Sequence, residues 1–185
     1  SDAEFYDNYK GDTVQWGSMR ALLNLCKDDN TEKRLFDDVL NFWFKQHLAQ
    51  LDKKRSENNT GHKQSGFFSS YFWQQLTDNQ NKNMVLRGKY NYNNVRGYAN
   101  KVPGENIFNL KNLFIPINIS NNHWVLIVIS MTEKMIRFYD SLESNLGNDY
   151  LKIIWNYLLD EKKAKHEGQQ QLNPNDWRQV SKTER

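Results

Sequence analysis

Residues 113–142 read LFIPINISNNHWVLIVISMTEKMIRFYDSL, and this stretch decides the fold. Two β-branched apolar runs, LFIPINI and WVLIVI, flank an SNN turn, and a third run, MIRFYD, follows a TEK turn. Apolar residues at successive rather than alternate positions predict strands buried on both faces of a central sheet. Pro116 cannot donate to a ladder, so residues 113–119 are expected at an edge or a local irregularity. His123 stands at the mouth of the second run and Asp140 at the far end of the third. An even-length connection places both on one face, directly opposite or one diagonal step apart, roughly 5–8 Å between Cβ atoms. An Asp so placed can hold and charge a His, whose second ring nitrogen then takes a proton from a thiol or hydroxyl. A structural His–Asp pair at a sheet edge has the same spacing, and spacing alone does not separate the two.

Helices are expected on either side of this sheet. Met19, Leu22, Leu23 and Cys26 recur at helical spacing over residues 18–27, with Ser18 as N-cap. Leu35, Val39, Phe42, Trp43 and Leu48 mark a longer amphipathic helix over residues 31–51. Residues 53–64, KKRSENNTGHKQ, predict an exposed loop in which His62 is solvated. Residues 67–76 suit a short buried helix and residues 93–101 another, with Pro103-Gly104 as a turn. Leu151, Ile154, Trp155, Leu158 and Leu159 form the stripe of a helix over residues 148–165. Residues 168–185 are a polar tail, and there is neither an internal repeat nor a visible domain boundary.

Composition narrows the function classes. The 185 residues fit a single domain; aromatics reach 14%, with six Trp, against 38% apolar residues overall. Mean hydropathy of −0.88 and a longest apolar run at residues 124–129 predict a soluble domain without a membrane span. A net charge of +3 from 25 basic and 22 acidic residues is too balanced to argue for nucleic acid. A single cysteine, Cys26, allows no intrachain disulfide, so a reducing compartment is expected, and residues 1–10 show no signal-peptide pattern. His47 and His166 make no ligand spacing with a cysteine, and there is no glycine-rich phosphate loop; neither a metal nor a cofactor is expected.

Residue identities go further than spacing. The string IPINISNNHWVLIVIS, followed by FYDSL, resembles the sentrin/SUMO-specific cysteine proteases, which act on ubiquitin-like proteins. The matching features are an apolar strand with Pro, a His-Trp pair opening the next, and an aromatic-Asp-Ser ending another. LFDDVLNFW at residues 35–43 is similar to the family's L-N-D-x-V-I-N-F helix, and Gly66-Phe67-Phe68 to its x-F-F segment. Residues 94–102 followed by Ile107-Phe108 resemble its V-x-x-W-x-x-x-V-x-I-F stretch. The likeness runs in order from about residue 18 to about residue 180.

The resemblance implies an α+β fold: a papain-like cysteine protease core with N-terminal helices packed on a mixed central sheet. Residues 1–185 would form one ubiquitin-like-protease domain, incomplete at its C-terminal end. It implies hydrolysis after Gly-Gly by thiol attack, with His123 as general base and Asp140 as its orienter. Trp124 would help wall a tunnel that admits glycine, and Asp37 would meet a basic patch on the modifier. Arg34 stands where many members have the Trp of the opposite wall. The implied partner is SUMO or another ubiquitin-like protein, met by a monomer in the nucleus or cytoplasm.

The nucleophile is the departure. The family completes its site with a segment like P-Q-Q-x-N-x-x-D-C-G, yet no cysteine follows residue 26. Two explanations stand. Asn175-Asp176-Trp177 matches the family's Trp that shortly precedes that motif, and the sequence stops before it. Alternatively QQLNPNDW, residues 170–177, is the motif itself, with Trp177 in place of the Cys. The first is favoured, because Arg178 stands where the second requires Gly and no apolar helix follows to lower a thiol pKa. Cys26 is no substitute: beside Asp28 and Asp29 at a helix C-terminal end its thiol pKa would rise, and it fits a small buried hydrophobe. A site without its nucleophile loses turnover on the order of 10⁴–10⁶-fold. Without one, the chain would be a pseudoprotease that only binds a ubiquitin-like protein.

Overall fold

The computed structural model describes residues 4–6, 13–15, 18–19, 35–58, 61–77, 90–142, 146–165, 168 and 170–181. The expected helix over residues 18–27 therefore falls outside the described residues except for Ser18 and Met19, which are helical. Arg34 and Cys26 also lie outside them. The chain divides into two compact units, residues 1–62 and 63–185.

In the first unit, β1 (Glu4–Tyr6) pairs antiparallel with β2 (Thr13–Gln15). Helix α1 (Asp37–Asn58) opens with Asp37 and Asp38, whose charges suit the positive end of the helix dipole. Asp38 Oδ2 also accepts the Gln15 N–H at 2.8 Å, tying the helix start to β2. The helix continues seven residues past the expected end at Leu51, because Lys, Arg and Glu sustain a helix without an apolar stripe. Two expectations are corrected here. Trp43 is 51% exposed and lies stacked on His47, while its neighbour Phe44 takes the buried position. His62 is not solvated: its covered side chain bonds through Nε2 to buried Asp52 at 3.1 Å.

The second unit is built on a five-stranded mixed sheet. Its strands in chain order are β3 (Gly66–Phe67), β4 (Asn112–Ile119), β5 (His123–Ser130), β6 (Met135–Tyr139) and β7 (Arg178–Val180). They lie in that same spatial order; the outer pairs are parallel and the inner pairs antiparallel. Strand β3 reaches only Leu113 and Phe114, so Pro116 sits where β4 has no outer neighbour and its missing N–H costs no ladder bond. Gly66 is required by crowding: a Cβ there would come within 2.9 Å of Leu110 Cδ1 and 3.1 Å of Val102 Cβ.

One face of the sheet is the core. Leu113, Ile115, Ile117, Val125, Ile127, Ile129, Ile136 and Phe138 all point to it and are buried. Helix α2 (Tyr71–Leu76) and helix α3 (Gly147–Lys165) supply Phe72, Leu76, Ile154, Tyr157 and Leu158 to the same cluster. Each such side chain stabilises the fold by about 1.5–3 kcal/mol through water exclusion. Phe68, Phe72, Tyr98 and Tyr157 meet edge to face or tilted, with centroids 4.5–5.9 Å apart. The opposite face differs from the expectation of two buried faces: Phe114, Leu126 and Val128 are only partly covered and Tyr139 is exposed. Residues 92–109 form short 3-10 turns where one helix was expected over 93–101. The polar tail carries a 3-10 turn (Pro174–Asp176) and strand β7.

Candidate active site

His123 and Asp140 meet because two turns set their strands in register. Ile119 pairs with His123, so residues 120–122 alone join β4 to β5. Ser120 (φ 52°) and Asn121 (φ 60°) are both left-handed, as a tight hairpin with matching strand twist requires. Asn tolerates that conformation better than Ser. Residues 131–134 join β5 to β6, between the paired Ser130 and Met135. This even-length loop carries the alternation across unchanged. The last pair in that ladder is Leu126 with Tyr139. One step further sets Asp140 beside Val125, with His123 a diagonal step away on the same face.

The side chains close that diagonal. His123 Nε2 lies 2.6 Å from Asp140 Oδ1. An ionised carboxylate only accepts, so Nε2 carries the proton and Nδ1 of the neutral ring keeps a lone pair. The same Oδ1 accepts the Leu142 backbone N–H at 2.9 Å, so the chain folds back on its own carboxylate just after β6. The Asp140 side chain is 3% exposed and the His123 side chain 18%. A buried carboxylate without donors would be costly, so these two bonds hold both its charge and its orientation. The arrangement leaves a partly open imidazole whose free nitrogen can take a proton, with a fixed anion behind it.

Trp124 follows His123 in β5 and therefore points to the other face of the sheet, where it is partly covered and pairs across the ladder with Asn118. Asp37 lies in the first unit, at the first residue of α1, and is partly exposed. The Leu142 amide is the contact that sequence inspection missed; an Asp two residues before a turn N–H was its only signal. Among the described residues no group of three or more His, Cys, Asp or Glu could hold a metal.

Trp177 precedes strand β7, level with the start of β6. Arg178 pairs with Met135, the first residue of β6, and its N–H donates to the Lys134 carbonyl at 3.0 Å. Lys134 and Asp176 form an ion pair at 2.9 Å beside it. Asp140 lies six residues further along β6, about 20 Å away at a strand rise of about 3.3 Å per residue. Trp177 thus sits at the wrong end of the sheet to replace a nucleophile at His123; it packs against Trp155, with ring centroids 5.8 Å apart. Strand β7 runs parallel to β6, so it points toward the Asp140 end of that strand.

Comparison with known proteins identifies the family and the fold. The family model described as "Ulp1 protease family, C-terminal catalytic domain" matches residues 33–185. A sentrin-specific protease of Caenorhabditis elegans is 30% identical over 151 residues, covering 77% of this chain and 18% of its own length. A candidate ubiquitin-like-specific protease 1B of Arabidopsis thaliana is 28% identical over 144 residues, covering 77% of this chain and 38% of its own. The chain thus spans well under half the length of either relative. Among solved structures, the C-terminal Ulp1 protease domain in complex with Smt3, the yeast ortholog of SUMO, superposes with a TM-score of 0.65 at 19% identity. That match covers 98% of this chain and 66% of the yeast chain, and shows a shared fold. The chain belongs to the Ulp1 protease family, a family of cysteine peptidases.

Proposed function

We propose that this member of the Ulp1 family supplies the base and orienter of a peptidase that cleaves after the Gly-Gly end of a ubiquitin-like protein. The 2.6 Å contact between His123 Nε2 and Asp140 Oδ1 carries the proposal. In the step we assign, His123 Nδ1 takes the proton of a cysteine thiol, and Asp140 stabilises the imidazolium through Nε2–H. The thiolate attacks the carbonyl carbon of the second Gly, and the imidazolium gives its proton to the departing amine as the C–N bond breaks. Water then attacks the thioester, with His123 again as base. The thiol is not among residues 27–185, so the step requires one from outside them. Trp124 and Asp37 are assigned to the modifier's glycine tail and to its basic surface, respectively. The smallest sufficient test appends a catalytic P-Q-Q-x-N-x-x-D-C-G segment, with its following helix, after Arg185. Cleavage of a SUMO fusion is expected, and it should fall by at least about 10³-fold in His123→Ala. Cleavage that survives His123→Ala would refute the role of the imidazole.

A second proposal is a pseudoprotease that binds the modifier without cutting it. Calorimetry with SUMO separates the two. A folded chain that binds no ubiquitin-like protein rules this one out.

A further inference from the structure

The Asp140 side chain is almost wholly covered, yet it makes its bonds to His123 and to the Leu142 amide at the very end of the sheet. Aromatic rings gather beside it. Phe138 precedes Asp140 by two residues and so lies on the same side of the chain. A Cβ at Gly147 would come within 3.0 Å of Phe138 Cδ1, so the glycine lets the start of α3 close on that ring. Tyr150, three residues later on the same face of the helix, lies tilted against Phe138 with ring centroids 5.3 Å apart. Trp73 of α2 stacks on Tyr150 at 4.6 Å and 22°. All three rings are buried. The Tyr150 phenol also senses the carboxylate: burial, and then the Asp140 charge, push its pKa up. It stays protonated, so no second negative charge forms beside Asp140.

We propose that Tyr150 is a positioning residue for His123 that acts through Asp140: its ring, held by Trp73 and Phe138, shuts water out from the carboxylate. A carboxylate–imidazole hydrogen bond is stronger in a dry surround of low dielectric. Water reaching Asp140 competes for the oxygen that His123 uses, and the imidazole then turns more freely. Core packing alone accounts for Tyr157, whose ring meets Phe68 and Phe72 further along α3. It does not account for a ring set beside the carboxylate of the His–Asp pair. The role belongs to the ring, because the ring excludes the water. Its consequence for catalysis rests on the base and orienter roles proposed above. The imidazole proton reports the aromatic wall without any cleavage, so the two can fail separately.

Proton NMR of the whole chain tests the wall through exchange of the His123 Nε2–H with water. The Ile127 amide, in a central strand and fully buried, serves as the reference for global opening. Relative to that amide, Tyr150→Leu should speed Nε2–H exchange at least about tenfold and move its resonance upfield. Tyr150→Phe keeps the ring and should stay within about twofold of the unaltered chain. Tyr157→Leu removes another buried ring, about 10 Å further along α3 at 1.5 Å per residue, and should also stay within about twofold. If Tyr150→Leu does not fold, Trp73→Leu, which withdraws the ring stacked on Tyr150, should speed exchange about threefold or more. Unchanged exchange in whichever of these two variants folds overturns the proposal, as does equal speeding by Tyr157→Leu. Speeding by Tyr150→Phe as large as that by Tyr150→Leu also overturns it, in favour of the hydroxyl.

Discussion

Glu161 is the most exposed prediction about stability, although its side chain is wholly buried. It sits on the inner side of α3, accepts one hydrogen bond from Tyr92 through Oε2, and has no partner at Oε1. The hydroxyl of Tyr157, one turn earlier, is likewise buried and faces the same carboxylate outside good hydrogen-bond geometry. Desolvation dominates here and raises the Glu161 pKa above 4.5, while Tyr92, Lys165 and Tyr157 pull in the opposite direction. The folded chain therefore binds the Glu161 proton more tightly than the unfolded chain does. That contribution is fully present below the unfolded carboxylate pKa and is lost as pH rises through the folded one. Above its raised folded pKa the fold carries a desolvated carboxylate with one oxygen unsatisfied, a cost of about 1–3 kcal/mol. Glu161→Gln removes the charge, keeps an oxygen for Tyr92 and supplies N–H donors beside Tyr157. Urea unfolding followed by tryptophan fluorescence should show the variant more stable by about 1 kcal/mol at pH 7–8. Its advantage should shrink as pH falls toward 4.5. The reasoning fails if the variant is less stable at pH 7 and its difference from the unaltered chain is the same at every pH.

Three further outcomes follow from single contacts. Gly66→Ala drives a methyl to 2.9 Å from Leu110 and should cost about 1–3 kcal/mol in urea unfolding. Ser120→Gly relieves a left-handed serine (φ 52°) and should raise stability by about 1 kcal/mol, read as an upward shift in the thermal midpoint. In proton NMR the His123 Nε2–H should appear downfield and slow to exchange because of its 2.6 Å bond, and should vanish in Asp140→Ala; persistence of the signal would mean another acceptor holds the ring.

The central strands were legible because their signal is local. Two runs of eight residues and a third of five carry enough apolar side chains to declare themselves, and the SNN and TEK segments break them at the observed turns. The shared face of His123 and Asp140 followed from counting along two strands and an even loop. Strands β1, β2, β3 and β7 were not legible, since each has only two or three residues. A period of two needs more positions than that to stand out.

The sequence by itself determined the sheet, the His–Asp pair, the long helix after it and the family resemblance, all of which rest on residue order within short windows. Only the tertiary structure decided what depends on distant segments. Tyr90 and Tyr92 meet Asp160 and Glu161 across 70 and 69 residues, and these bonds tie the 90–92 segment to α3. The His62 side chain is covered where it bonds Asp52, although the tract around it is polar. The pairing of β7 with the start of β6 places Trp177 far from His123. In each case packing and hydrogen-bond satisfaction between remote elements chose the partner, and local sequence pattern carries no information about either.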